Sequence, residues 1–462
     1  MKENKFKHRY LARIIFEATT PLAVGSGEKD IMTDALVATD VNGLPYIPGT
    51  SIAGVLRHAI GEEKAKEFFG FQSKKSENSK GSEIIFTSAQ MVGKDGKVID
   101  GLQNINFFDE FYSKFRTLPI RQHCRIDSKG TAADGGKFDE QLVYKGTRFC
   151  FEIEMVSEGS NFSQFEDVLK ELYSKSFRIG GGTRSGFGEV KVVSCKTAKI
   201  DFNDEAQLSA YLDKSSDLSD TSFWKNGFVD TFDKPEENNT EKFTKYELKL
   251  KPDDFFLFGS GLGNEKADIT PVSETFIEWD SKGKPKFTDQ VVLIPAASVK
   301  GAISHRVAFY YNKLKGVFAD SADIKPEDHI GSKNLAVRTL FGSEGEREKG
   351  EMINQQRGNV IFSDIVERKE VKHKLLNHVA IDRFTGGTID GALYSEEVIY
   401  GKGQKFTFTL LAANDALKEG NVKEALENTL KDICNGMLPL GGGVNRGHGA
   451  FTGEVLINGK PL

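Results

Sequence analysis

IGGGTRSGFGEV at 179–190 and LGGGVNRGHGAF at 440–451 are two versions of one segment, and the rest of the chain reads outward from them. Going back from each, the same signals appear in the same order. CRIDSKGTAADGG (124–136) corresponds to VAIDRFTGGTIDG (379–391), and GSEIIFTS (81–88) to GNVIFSD (358–364). Phe69-Gly70 corresponds to Phe341-Gly342, and YIPGTSIAG (46–54) to LIPAASVKG (293–301), with His58 and His305 at one offset. VGSGEKDIMTD (24–34) corresponds to FGSGLGNEKAD (258–268), so that Asp34 and Asp268 each fall seven residues past the last glycine of GSG. Matches this numerous and in one order identify a tandem repeat, and the function has to suit two copies of one module.

Each copy mixes strand and helix periodicities. The patterns predict strands at about 10–18, 83–87, 141–156 and 188–195, and at about 245–251, 359–363, 397–411 and 451–458. They predict helices over Ile52–Phe69 and Val299–Leu314, with Ser51 and Ser298 as caps, and over 163–174 and 422–434. Strand, helix, two strands, helix and strand is the order of a ferredoxin-like unit. The fold class is thus α+β, two tandem ferredoxin-like modules over 1–200 and 242–462. Residues 201–241 read as an acidic linker, because 201–240 hold ten Asp/Glu against three Lys. A short helix near Ala206–Leu212 and an anchoring Phe223-Trp224 fit within it.

Composition narrows the function. A hydrophobic content of 38% with 28% charged residues describes a globular protein. No eighteen-residue apolar run is present to cross a membrane, and the first residues lack a secretory h-region, which points to the cytoplasm. Four cysteines without CxxC spacing argue against zinc and disulfides, and the histidines form no HExxH. The net charge of −5 is concentrated in 201–240, so any nucleic-acid footprint is local.

Several motifs carry chemistry. GGGxxxGxG is either a tight helix-to-strand turn or a nest of backbone amides for phosphate, with Gly180, Gly181, Gly182 and Arg184 in one copy and Gly441, Gly442, Gly443 and Arg446 in the other. Its recurrence favours the nest. PxxSxxG places a helix start, a hydroxyl (Ser51, Ser298) and a small residue (Gly54, Gly301) where a phosphate can sit, with Arg57, Lys300 and Arg306 adding charge. A loop carboxylate such as Asp34 or Asp268 can hold a cation beside a scissile phosphate, though Glu28, Asp30 and Glu265 compete for the register. His58 and His305 have no local partner and read as packed or solvent-edge histidines rather than general bases. The stretch after each GSEIIFTS/GNVIFSD strand differs most. One copy carries the aromatic cluster Phe107, Phe108, Phe111, Tyr112 and Phe115; the other carries Lys369, Lys372, His373, Lys374 and His378. Exposed aromatics suit stacking on bases, and packing into the core is the equal alternative.

Taken together these segments resemble the RAMP superfamily, and most closely the fused double backbone subunits of type III, III-D-like, CRISPR effector complexes. The resemblance rests on LPYIPGTSIAGVLR (44–57), IDRFTGG (381–387) and GGGVNRGHG (441–449) in that order, and it covers both modules but not 201–240. It implies an RRM-like core and a β-hairpin thumb in each module, and antiviral ribonucleoprotein assembly with CRISPR RNA, target RNA and other type III subunits. It implies target cleavage at Asp34 and Asp268 with Mg2+ or Mn2+, a metal-dependent endoribonuclease acting within a multisubunit complex. Guide contacts by resemblance include Arg125, Lys374, His378, Arg383 and Thr385. Module one departs from the pattern with Ala53 at the position of Lys300 and with Ser128-Lys129 at the position of Arg383-Phe384. Two other readings stay open: an inert RNA-binding scaffold or end cap of the same lineage, and a tandem whose glycine loops bind a nucleotide or phosphorylated metabolite.

Overall fold

Tyr10, Ala12, Ile14 and Phe16 alternate along strand β1 (His8–Ala18) and point into one core, while Leu11 and Ile15 point the other way into two smaller clusters. A strand apolar on both faces has to be covered on both. A computed structural model describes residues 6–31, 33–73, 79–127, 129–159, 162–235, 242–321, 324–348, 351–353, 355–366 and 371–462. Module one continues with α1 (Gly49–Ala59), β2 (Ile84–Phe86), a hairpin of β3 (Ile120–Ile126) and β4 (Ala132–Gln141), β5 (Arg148–Ser157), α2 (Ser163–Glu171) and β6 (Val190–Asp201). Its sheet runs β2–β5–β1–β6 with antiparallel neighbours, so the βαββαβ strands lie second-third-first-fourth, the ferredoxin-like order. Helices α1 and α2 cover the face that carries Tyr10 and Ile14.

The stretch expected as a linker covers the other face. Helix α3 (Glu205–Leu212), a turn with Phe223 and Trp224, and strand β7 (Val229–Thr231), which extends the sheet beside β6, form a strap across module one. Trp224 is buried against Leu11, Ala198 and Ile200, and its indole N–H donates to Glu152 Oε1 at 2.8 Å. Glu152 also pairs with Arg13 and Lys214, so the strap closes over a buried charge cluster. Trp224→Ala removes that packing and one donor to a buried carboxylate. Urea unfolding is expected to show a loss of about 3–5 kcal/mol, whereas a tether would show almost none.

Module two repeats the plan: β8 (Phe243–Pro252), an inserted hairpin of β9 (Ile277–Trp279) and β10 (Pro285–Phe287), α4 (Ala296–Leu314), β11 (Val360–Phe362), hairpin strands β12 (Lys372–His378) and β13 (Tyr394–Tyr400), β14 (Phe406–Ala413), α5 (Val422–Cys434) and β15 (Phe451–Ile457). The sheet order is again β11–β14–β8–β15. Here β8 alternates buried Tyr246, Leu248 and Leu250 with Lys245, Glu247 and Lys249, so its second face is mostly charged.

Three expectations need correcting, and one open choice is decided. The strand predicted at 141–156 begins only at Arg148, because Gly146 (φ 87°) turns the chain between the hairpin, which ends at Gln141, and the sheet; 397–411 divides into two strands around Gly403 (φ 89°). The helix predicted to Phe69 breaks at Gly61 (φ 86°). Ser51 and Ser298 lie inside the first helical turn, and Pro48 and Pro295 hold the cap positions. The aromatic cluster is core: Phe111 and Phe115 are buried, Phe107 and Tyr112 pack on them, and only Phe108 is exposed, at 95%.

That core continues into module two, and the two modules are locked together. Phe287 packs on Phe111 and Tyr144 with ring centroids 5.6 and 5.1 Å apart. Trp279 donates to Gly146 O at 2.7 Å and lies 3.9 Å from the Arg148 guanidinium. Arg121, 4% exposed, reaches from β3 to Asp364 at 2.7 Å and to Glu274. Burial opposes its charge, but the two carboxylates outweigh that and hold the guanidinium protonated more firmly than usual.

Candidate nucleic-acid interface

Both hairpins are rooted on the loops that carry the repeated aspartates. Asp34 N donates to Asp139 Oδ1 at 3.0 Å, and Asp139 N donates back to Asp34 Oδ2 at 3.1 Å. In module two Ser395 N and Oγ donate to Asp268 Oδ2 at 2.7 and 3.0 Å. The register is the same in both, since the next residues pair in parallel as Ala35 with Glu140 and Ile269 with Glu396. The backbone amide and hydroxyl of Ser395 hold the Asp268 carboxyl below the usual carboxylate range. A carboxyl lowered by folding contributes stability above its ordinary pKa and loses it as pH falls through the lowered value. Both aspartates are exposed, and the bonds they accept from the hairpins fall on Oδ2, which leaves Oδ1 of each without a bond from the hairpin.

The tips of the hairpins are the ID motifs. Asp127 accepts from Lys129 N, Thr131 N and Thr131 Oγ1, and Asp382 accepts from Phe384 N, Thr385 N and Thr385 Oγ1. These are side-chain-closed turns, so Thr385 shapes the tip. Arg383 is exposed there beside Phe384, which is 98% exposed. Arg125 and Lys374 are exposed on the hairpin strands. Ser128 and Lys369 lie outside the described residues.

The glycine loops spend most of their freedom on packing. Gly181 N donates to Ala23 O and Gly442 N to Leu257 O, each at 2.7 Å, and Gly188 N and Gly449 N donate to Pro21 O and Phe255 O. A Cβ on Gly186 (φ 112°) would stand 2.5 Å from Asp364 Oδ1. The first loop is therefore seated against module two, while residues 444–447 of the second are exposed. Arg446 is not a free cation: its Nη2 lies 2.8 Å from Glu396 Oε2.

The helix starts differ in charge. Ser88 Oγ accepts from Gly49 N at 3.3 Å, whereas Asp364 Oδ1 accepts from Ala296 N at 2.7 Å. Asp364 thus stands where a phosphate was expected in module two. Gly54 and Gly301 are exposed with open space beyond them, and Arg57 donates to Phe69 O. Arg306 is ion-paired with Asp432 of α5 at 2.6 Å, in the helix layer.

Lys300 and Arg184 meet at the module joint. Arg184 Nε donates to Gly358 O at 2.8 Å, Lys300 Nζ lies 3.2 Å from Ser185 Oγ, and Arg184 Nη1 is buried with no hydrogen-bond partner among the described residues. Burial, with Arg357 and Arg178 nearby, pulls the Arg184 guanidinium down to about 10. Burial and then Arg184 lower Lys300, burial lowers Arg357, and burial, Arg357 and Arg184 lower His58. Arg184, Lys300 and Arg357, with one orphaned donor, make a cationic site that an anion would stabilise.

Among the described residues no group of three or more His, Cys, Asp or Glu could hold a metal ion by itself. One free oxygen on Asp34 or Asp268 fits a hard divalent cation that takes its remaining ligands from RNA phosphates and water. No helix among the described residues is long and apolar enough to cross a membrane.

The chain matches the RAMP superfamily over residues 15–191 and 268–452. It belongs to that superfamily, which includes CRISPR-associated subunits. The two matched regions fall on the two ferredoxin-like modules and leave the strap outside. No curated protein matches the chain. The sequence reading of this RAMP protein missed one repeated pair: His123 lies 3.0 Å from Glu140, and His378 2.9 Å from Glu396. The signal was there, since each histidine stands three residues before an ID motif and each glutamate five residues after its DG glycine.

Proposed function

We propose that the chain is a double backbone subunit of a type III CRISPR ribonucleoprotein, of the III-D-like kind. It binds guide RNA and cuts complementary target RNA once at each module. The observation that carries this reading is the duplicated root: an exposed aspartate fixed on the same hairpin position in both modules. Target choice comes from base pairing, and each hairpin tip, with Phe384 foremost, enters between bases and holds the strand in place for the cut. A divalent cation bound between Asp34 or Asp268 and the phosphate would stabilise charge developing at the scissile oxygen. The chain's own residues do the positioning. Asp139 and Ser395 hold the carboxylates, and the joint cations around Arg184 take the guide backbone.

A second reading is favoured by the same bonds. Asp34 and Asp268 accept backbone amides, so each could serve only to hold its hairpin, and the chain would then be an RNA-binding scaffold or end cap. Both readings require RNA. Protein purified from its native host is expected to carry small RNA of regular length, and a bound nucleotide in its place would sink both.

The joint cations give a sharper expectation. Arg184→Gln and Lys300→Gln each remove a partly buried charge that has no carboxylate partner among the described residues, so apo stability should stay level or rise slightly. RNA affinity should fall by about tenfold for each. Fluorescence anisotropy with a single-stranded RNA, alongside thermal unfolding, separates the two effects. Equal losses of stability and affinity would mean the cations are structural.

A further inference from the structure

Module two contains a connection that module one lacks. Glu396 is fully buried on β13, next to Ser395. Its Oε1 takes His378 Nε2 at 2.9 Å and its Oε2 takes Arg446 Nη2 at 2.8 Å. His378 is braced by Tyr394, stacked at 4.8 Å. A third group waits beside this carboxylate: His448 Nδ1 is 3.9 Å from Oε1, buried, and without a hydrogen bond among the described residues. From the exposed glycine loop to the candidate cleavage residue the path is Arg446, Glu396, the adjoining Ser395, and Asp268.

Module one repeats the brace without the tie. His123 stacks on Phe138 at 4.8 Å and lies 3.0 Å from Glu140, and Asp139 N holds Asp34. The positions of Arg446 and His448 are taken by Ser185, which is uncharged and whose hydroxyl lies against Lys300 Nζ, and by Phe187, which has no polar side-chain atom.

We propose that Glu396 is a positioning residue that ties the glycine loop of module two to Asp268, so that an RNA phosphate seated at Arg446 sets the place of that carboxylate. This rests on the cleavage reading above. Arg446 is only partly covered and can turn to a phosphate. His448, beside Oε1, then closes on Glu396, so the buried carboxylate keeps two partners in either arrangement. Two discrete pairings of one buried group are what coupling between neighbouring sites requires. The cut at Asp268 therefore answers to the guide, while the cut at Asp34 does not.

The test uses the full chain with its guide: wild type, Glu396→Gln, and the double variant Arg446→Ser with His448→Phe, which carries the residues of module one. Hydrogen exchange is followed at the amides around Ser395 and around Asp139. RNA binding is expected to slow exchange around Ser395 more than around Asp139 in wild type, and this difference should vanish in both variants. For target RNA, both variants should lower kcat of the cut at Asp268 by about tenfold with KM unchanged. The cut at Asp34 stays at its wild-type rate and reports that the chain is folded. Equal exchange at the two roots in wild type, or variants that cut and exchange like wild type, would overturn the tie. A wild-type complex that binds RNA and cuts nothing would remove the cleavage reading, and the exchange difference would still decide the tie. Should Glu396→Gln unfold module two, the double variant, which keeps Glu396 and its bond to His378, decides between the tie and its absence.

Discussion

Asparagine in place of Asp268 is expected to remove one of two target cuts and leave the other at full rate. Asn accepts the Ser395 amide as Asp does, so the hairpin root stays formed and only the charge is lost. With no carboxylate to hold a cation at the phosphate, the rate at that position should fall by roughly 10³-fold, a loss of about 4 kcal/mol in barrier lowering. Asp34→Asn is expected to do the reverse, and chelation of divalent metal to abolish both cuts. Guide and target binding should be unchanged, since neither carboxylate attracts an anionic backbone. Product lengths on a sequencing gel read the result. Cuts that survive in the asparagine variants but vanish in the alanine variants would mean that the aspartates only pin the hairpins.

The second large effect is expected at Arg121. Arg121→Ala leaves Asp364, 2% exposed on its side chain, and the half-buried Glu274 without their shared cation. Breaking a buried pair from one side costs about 3–5 kcal/mol, and the cost falls on the joint. Denaturant unfolding should change from one transition to two, with module two separating first. RNA affinity should fall with it, because Arg184 and Lys300 meet only across the closed joint. Adding Asp364→Asn and Glu274→Gln to Arg121→Ala should recover much of the loss. A variant that unfolds like wild type would mean that the apolar contacts of Phe287 and Trp279 hold the joint without the ion pairs.

The repeat made the fold legible: order and spacing of motifs give both modules, and their sheets have the expected strand order. Alternation located β1 and β8, and it also holds a further signal. LARII on β1 is apolar on both faces, whereas YELKLK on β8 is not, and this difference announces that the acidic segment lies over module one. Acidity suggested a tether because charge counts describe a segment's surface; Trp224 and its bond to Glu152 decide its place. The glycine loops carry less phosphate chemistry than their recurrence suggests, since Gly186 is small to admit Asp364 and Ala296 rather than RNA. Arg306 and Arg446 look like free cations in the sequence because their partners, Asp432 and Glu396, are far away along the chain. The joint was not legible at all. Arg121, Glu274 and Asp364 come from three segments that only tertiary packing brings together.

RNA held across the joint is the central claim, and the salt dependence of binding tests it most directly. Affinity of the chain for single-stranded RNA, measured from roughly 50 to 300 mM salt, should fall steeply, with each neutralised phosphate adding about 0.7 to the slope of log K against log salt. The Arg184→Gln, Lys300→Gln double variant is expected to be shallower by about 1.4. An unchanged slope in that variant, or binding insensitive to salt in the wild type, would contradict the account.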